Sequence, residues 1–172
     1  MAFLEQHQNV GIVGCWGFTI DTDATIITKL QYPLTDQDIR RYLLIENCFI
    51  HSGILLRKKY IDEAGGYDNT LHYAQDYDLW LRIGEKAKLA NMPEFMVLYR
   101  KNPQGISKTY YRQQIAETIC SVKKHATSYP FKNTSLLLWK IRLYIPYSTR
   151  EFISESFRKL LFYRSFQLKS VL

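Results

Sequence analysis

From residue 108 onward every patterned segment of this 172-residue chain places its apolar positions at helical spacing, whereas up to residue 107 strand-like runs alternate with short helices. That switch sets the fold class as α/β: a partial mixed sheet with helices, followed by an all-helical C-terminal extension. Charge changes at nearly the same place. Residues 1–100 carry 10 Lys and Arg against 13 Asp and Glu, a balance of −3, and residues 101–172 carry 13 against 3, a balance of +10. The basic part is also aromatic, with Trp139, Tyr144, Tyr147, Phe152, Phe157 and Phe162 set among its cations. Such a mixture suits an anionic surface, whether lipid headgroups, nucleic acid or an acidic partner.

Residues 10–20 are rich in β-formers, and Asp21-Thr22-Asp23-Ala24 before residues 25–30 predicts a turn and a returning strand. Thr35 stands three before Asp38, with Ile39, Tyr42 and Leu43 at helical spacing, which predicts a capped helix start. Residues 50–57 read as a strand and residues 58–64 as a short helix closed by Gly65-Gly66. Residues 76–84 predict a buried helix whose polar end is capped by Asp76. Two strands are expected over residues 88–92 and 95–101, divided by Pro93, and then helices over residues 111–125, 136–144 and 149–168.

Several classes drop out. Glycine (8) and proline (5) are scarce and nothing repeats, so collagen-like, solenoid and linker readings fail, while 47% apolar residues supply one domain with a core. Cys15, Cys48 and Cys120 stand far apart without zinc-type spacing, which fits a reducing, cytoplasmic setting. Met1-Ala2-Phe3-Leu4-Glu5 has no basic or apolar leader pattern. The most apolar late stretch, residues 136–147, is interrupted by Lys140 and Arg142 and falls short of the roughly 20 residues a spanning helix needs.

Four blocks carry a resemblance: Asn47-Cys48-Phe49-Ile50-His51-Ser52-Gly53-Ile54-Leu55-Leu56-Arg57, Ala64-Gly65-Gly66-Tyr67-Asp68, Ala74-Gln75-Asp76-Tyr77-Asp78-Leu79-Trp80-Leu81-Arg82 and Leu98-Tyr99-Arg100. In order and spacing they resemble the C-terminal half of family 2 glycosyltransferases, enzymes of the GT-A fold. With residues 6–14 the resemblance covers about residues 3–107, so residues 1–107 are expected to be the acceptor-side half of such a domain and residues 108–172 a basic, aromatic helical extension. The resemblance implies transfer, by inversion, of a hexose-type sugar from a nucleotide-diphosphate donor to a glycan or lipid-linked acceptor. It also implies a divalent metal, Mn²⁺ or Mg²⁺, for the complete enzyme, held by an Asp-x-Asp that precedes everything in this chain. The Asp-x-Asp strings at Asp21/Asp23, Asp36/Asp38 and Asp76/Asp78 read instead as a hairpin turn, a helix cap and a helix entry. The expectation is a truncated or split enzyme, with a complementary N-terminal half as partner and one sheet edge left open.

By its place in the motif Asp76 would take the proton of the acceptor hydroxyl, and a helix start would hold it ionised; an ordinary N-cap looks the same. Gln75 stands where the family usually has Glu. Gly65 and Gly66 resemble a loop that lets backbone approach the donor sugar, and a helix C-cap needs glycine equally. His51 and Ser52 fall near the implied acceptor or diphosphate position, although a lone histidine also serves structure. Arg100 would pair with diphosphate oxygens. Asp78 and Arg82 form an i,i+4 pair, read as helix stabilisation. Beyond Tyr99-Arg100 the family often has a metal-holding histidine; here Asn102 is only a weak substitute, and no metal motif is recognised. The basic helices either meet an anionic membrane surface, at the inner face, or pack on the domain; nucleic acid is disfavoured because no recognition motif accompanies the charge. The rival to the enzyme is a non-catalytic remnant whose basic tail binds membrane or a partner protein.

Overall fold

A computed structural model describes residues 2–102, 104–150, 152–154 and 156. A short helix, α1 (Ala2–Gln6), leads into β1 (Val10–Ile20), the strand around which the sheet is organised. The turn after it closes as expected, with Asp21 Oδ1 accepting the N–H groups of Asp23 and Thr25 at 2.9 and 2.8 Å. β2 (Ile26–Leu30) returns antiparallel along the second half of β1. α2 (Asp36–Leu43) begins where the sequence places it: Thr35 Oγ1 accepts the Asp38 N–H at 3.3 Å and donates to Asp38 Oδ2 at 2.8 Å.

Residues 50–57 are a correction. Instead of one strand they form a 3₁₀ turn, His51–Gly53, and a two-residue strand, β3 (Leu55–Leu56), antiparallel to Ile12 and Val13 of β1. The β-prone composition is real, but the 3₁₀ turn at His51–Gly53 and the start of α3 at Lys58 leave only Leu55 and Leu56 extended against β1. α3 (Lys58–Ala64) follows and ends on Gly65, whose φ of 81° is left-handed, while Gly66 N–H returns to the Ile61 carbonyl at 3.0 Å.

α4 (Gln75–Gly84) buries Tyr77, Leu79, Trp80, Leu81 and Ile83, and such all-round burial belongs to a helix enclosed on every side. It packs on β1 and is flanked by α3 and by a later helix, α6 (Tyr111–His125). β4 (Lys88–Arg100) is one strand, parallel to β1 along its whole length, rather than the two strands that Pro93 suggested. Pro93 is accommodated because Met92 pairs with Cys15 and Phe95 with Trp16, so Pro93 and Glu94 bulge out of the ladder and no N–H is missed. Among the described residues β4 pairs on one side only, and its Met96 and Leu98 are exposed.

α5 (Ile106–Thr109), α6 (Tyr111–His125) and α7 (Lys132–Arg142) complete the ordered elements, and residues 147–150 and 152–154 are helical. The expected helix over residues 149–168 lies mostly outside the described residues. One hydrophobic cluster joins Ile12 of β1, Ile39 and Leu43 of α2, Trp80 and Leu81 of α4, Ile115 and Val122 of α6 and Trp139 of α7. Each fully buried Leu or Ile here contributes about 1.5–3 kcal/mol against leaving it in water. A smaller cluster, Leu4, Val10, Val13 and Ala90, covers the other face of β1. Among the described residues no helix is long and apolar enough to cross a membrane.

Candidate active site

The α2–β3 loop, the start of α4, the end of β4, α6 and α7 surround a cavity of ≈ 740 Å³. Asp76, Asn47, His51, Ser52, Glu46 and Arg150 all line it. A space of this size holds one or two sugar rings with their polar contacts.

Asp76 sits half-buried at the second position of α4. Its Oδ2 accepts the side-chain amide of Asn47 at 3.2 Å, and its Oδ1 accepts the Tyr77 N–H at 2.7 Å. Asn47 is itself fixed, because its Oδ1 accepts the Phe49 N–H at 3.1 Å. The cap lies elsewhere than expected. The N-cap residue is Ala74, without a side-chain bond, and the free N–H groups of His72, Tyr73 and Ala74 all go to the Glu117 carboxylate of α6, at 3.0, 2.8 and 2.8 Å. Glu117 therefore takes the N–H groups ahead of α4 from another helix, while Asp76, inside the first turn, takes the Tyr77 N–H with one oxygen and turns the other to Asn47 beside the cavity. No local signal marks Glu117, since its targets lie more than 40 residues away.

His51 is an exposed ring in the cavity wall whose Nε2 lies 3.1 Å from the Tyr67 hydroxyl. Its ring also meets Trp80 edge-on at 5.6 Å. Tyr67 was not singled out from sequence. Burial raises its phenol pKa and the charge of Asp76 raises it further. Ser52 stands next to His51 on the same wall. Arg150 contributes a guanidinium whose Nη1 is buried without a hydrogen-bond partner among the described residues; burial works against its charge and the Glu46 carboxylate supports it.

The remaining candidates lie off the cavity. Gln75 is exposed and donates to the Leu71 carbonyl at 2.7 Å. Arg100 donates to the carbonyls of Asp21 and Thr22, both at 2.6 Å, and so clamps the β1–β2 turn. Gly65 and Gly66 close α3, and a Cβ at either would meet nothing within 4 Å. Asp78 is buried on the far side of α4, bonded to Arg82 at 2.7 Å. Asn102 spends its Oδ1 on the Gln104 N–H at 2.9 Å. Among the described residues no three His, Cys, Asp or Glu side chains gather to hold a metal ion, so the groups present do not fit the divalent metal that the resemblance implies.

Residues 2–133 match the family described as glycosyltransferase like family 2. The chain belongs to that family. Its mixed sheet and helices are those of a GT-A-like fold, and the family is one of transferases. This family 2 chain is 24% identical over 164 residues to the amylovoran biosynthesis glycosyltransferase AmsE of Erwinia amylovora, covering 92% of itself and 61% of that protein. It is 32% identical over 111 residues to the O-antigen biosynthesis glycosyltransferase WbnJ of Escherichia coli, covering 61% of itself and 43% of that protein. An uncharacterized glycosyltransferase of Methanocaldococcus jannaschii is 22% identical over 144 residues, 83% of the chain and 49% of that protein. The chain thus spans between about two-fifths and three-fifths of these relatives' lengths.

Proposed function

We propose that these residues form the acceptor side of an inverting glycosyltransferase that builds a cell-surface glycan, with Asp76 as general base. The observation that carries this is the Asp76 carboxylate, held by Asn47 in the wall of a sugar-sized cavity at the family's motif position. The AmsE and WbnJ names, amylovoran and O-antigen biosynthesis, support a polysaccharide or lipid-linked acceptor.

The Asp76 carboxylate takes the proton of an acceptor hydroxyl as that oxygen attacks the anomeric carbon of a nucleotide sugar. The bond from that carbon to the donor diphosphate breaks, and the nucleoside diphosphate leaves with the electron pair. One displacement inverts the anomeric centre. Arg150, with a guanidinium nitrogen unsatisfied among the described residues, would meet a phosphate oxygen of donor or acceptor, and His51 with Ser52 would orient acceptor hydroxyls. The nucleotide and its metal would be held by polypeptide corresponding to the part of the relatives that this chain does not span.

The test is incubation with UDP- and GDP-sugars, Mn²⁺ and a lipid-linked glycan extract, alone and with a donor-side half supplied from a relative. Transfer with inverted anomeric configuration by NMR supports the reading. Hydrolysis alone, or no turnover in either mixture, overturns it.

A further inference from the structure

We propose that the outward face of α7 docks on an anionic membrane surface. This helix is tied to the rest of the protein along one side only. Ser135 Oγ and Trp139 Nε1 both donate to the Leu44 carbonyl, at 2.5 and 2.8 Å, and Arg142 donates to the Ile45 carbonyl. Leu136 and Leu143 pack against the core beside them.

At about 100° per residue the opposite side presents Leu137, Ile141 and, one turn on, Tyr144, with Lys140 at its flank. Leu137 is 59% exposed, Ile141 47% and Tyr144 86%. Single exposed apolar residues are ordinary, but a row of them along the helix side that faces away from the core is an interaction surface. Phe152 and Ile153, on the helical turn that follows, are exposed as well.

Charge chooses the partner. The stretch that carries this row, residues 118–150, has six Lys and Arg and no Asp or Glu, and the exposed Lys140 lies at the edge of the arc. A bilayer of anionic lipid meets both demands: Leu137 and Ile141 reach the acyl boundary, the Tyr144 ring lies at headgroup level, and Lys140 faces phosphate. An apolar protein groove would satisfy the row and leave the charge unused. Docking this way also has a consequence for the cavity. The Leu44 and Ile45 carbonyls that hold α7 are followed directly by Glu46 and Asn47, so membrane contact brings the Asp76 wall close to a lipid-linked acceptor.

The docking itself does not depend on turnover, and its test measures none. The full chain is mixed with vesicles of phosphatidylcholine alone and of phosphatidylcholine with phosphatidylglycerol, and bound protein is read by flotation. The expected result is binding to the anionic vesicles, weakened by salt, and a loss of at least about tenfold in partitioning for the Leu137→Ser/Ile141→Ser double variant. Both positions face water, so the double variant should keep the wild-type circular dichroism and melting temperature; Lys140→Glu, which leaves the apolar row intact, should also weaken binding to anionic vesicles. Three results would overturn the proposal: wild-type protein left unbound by the anionic vesicles; a double variant that binds as well as wild type; or a wild-type dimer, by sedimentation, that the double substitution dissociates without any change in vesicle binding.

Discussion

Asn47 Nδ2 stands 3.2 Å from Asp76 Oδ2, so a side chain from the loop after α2 sets the direction of the carboxylate at the start of α4. Removing that amide frees the carboxylate to rotate. Asn47→Ala is expected to lower kcat about tenfold with KM little changed, and to cost about 0.5–1.5 kcal/mol of stability for the lost bond. Asn47→Asp is more diagnostic, because a second carboxylate beside Asp76 raises the pH at which the pair holds a proton. The acidic limb of the rate profile should move upward; an unmoved limb would separate Asp76 from the proton transfer.

Glu117 collects three backbone N–H groups ahead of α4, a charged cap delivered from α6. Glu117→Gln keeps the shape but loses the charge and one acceptor, and Glu117→Ala loses all three bonds. A destabilisation of about 1–3 kcal/mol is expected for alanine and less for glutamine, read as denaturation midpoints. Equal stability of both variants with wild type would mean that water replaces the carboxylate at no cost.

Gly65 separates a cap from a substrate contact. Its φ is 81° and a Cβ there meets nothing within 4 Å, so backbone conformation alone explains the glycine. Gly65→Ala should cost about 1 kcal/mol and Gly65→Asn, which tolerates the left-handed region, only a few tenths. Transfer per folded molecule should survive in Gly65→Asn; a large loss at wild-type stability would assign the glycine to the donor sugar.

The Asp78 to Arg82 pair meets His125, whose Nε2 lies 3.5 Å from Asp78 Oδ1. Burial lowers the His125 pKa below its ordinary 6.5; Arg82 and Lys124 act in the same direction, and Asp78 and Asp68 oppose them. The unfolded chain then binds a proton more readily than the folded one as pH falls through about 6.5. Stability from this site is complete above about pH 6.5 and declines below it. Melting temperatures of wild type should fall more steeply from about pH 7 to about pH 5.5 than those of His125→Gln, and parallel slopes would contradict the assignment.

Local chemistry was legible in the sequence where the partners are neighbours. The Thr35 to Asp38 cap, the Asp21 turn and the Gly65 stop each depend on residues within a few positions, and each stands where the pattern puts it. The hairpin of residues 10–30 follows from its β-forming composition and the Asp21 turn, and the buried helix α4 from the apolar face of residues 76–84. What was misread depends on distant residues. Asp76 reads as the N-cap because nothing near it announces that Glu117 binds the N–H groups ahead of α4, and residues 50–57 read as one strand because their composition does not show the 3₁₀ turn at His51–Gly53. Pro93 divided one strand into two on paper because a bulge is a property of the pairing, not of the proline. The cavity joins side chains from Thr19 to Ser154, and only the motif around Asp76, with His51 and Ser52, pointed to it; Asn47 belonged to the motif without a role, and Arg150 carried no signal.

The most direct test of the central claim compares transfer by wild type, Asp76→Asn and Asp76→Glu in the same donor and acceptor mixture, each normalised to folded protein by its melting transition. Asp76→Asn keeps the shape and the Asn47 contact but cannot accept a proton. The account predicts a fall of about 10²–10⁴-fold in kcat for Asp76→Asn at near wild-type melting temperature, with partial activity in Asp76→Glu. Wild-type turnover by a fully folded Asp76→Asn would contradict it.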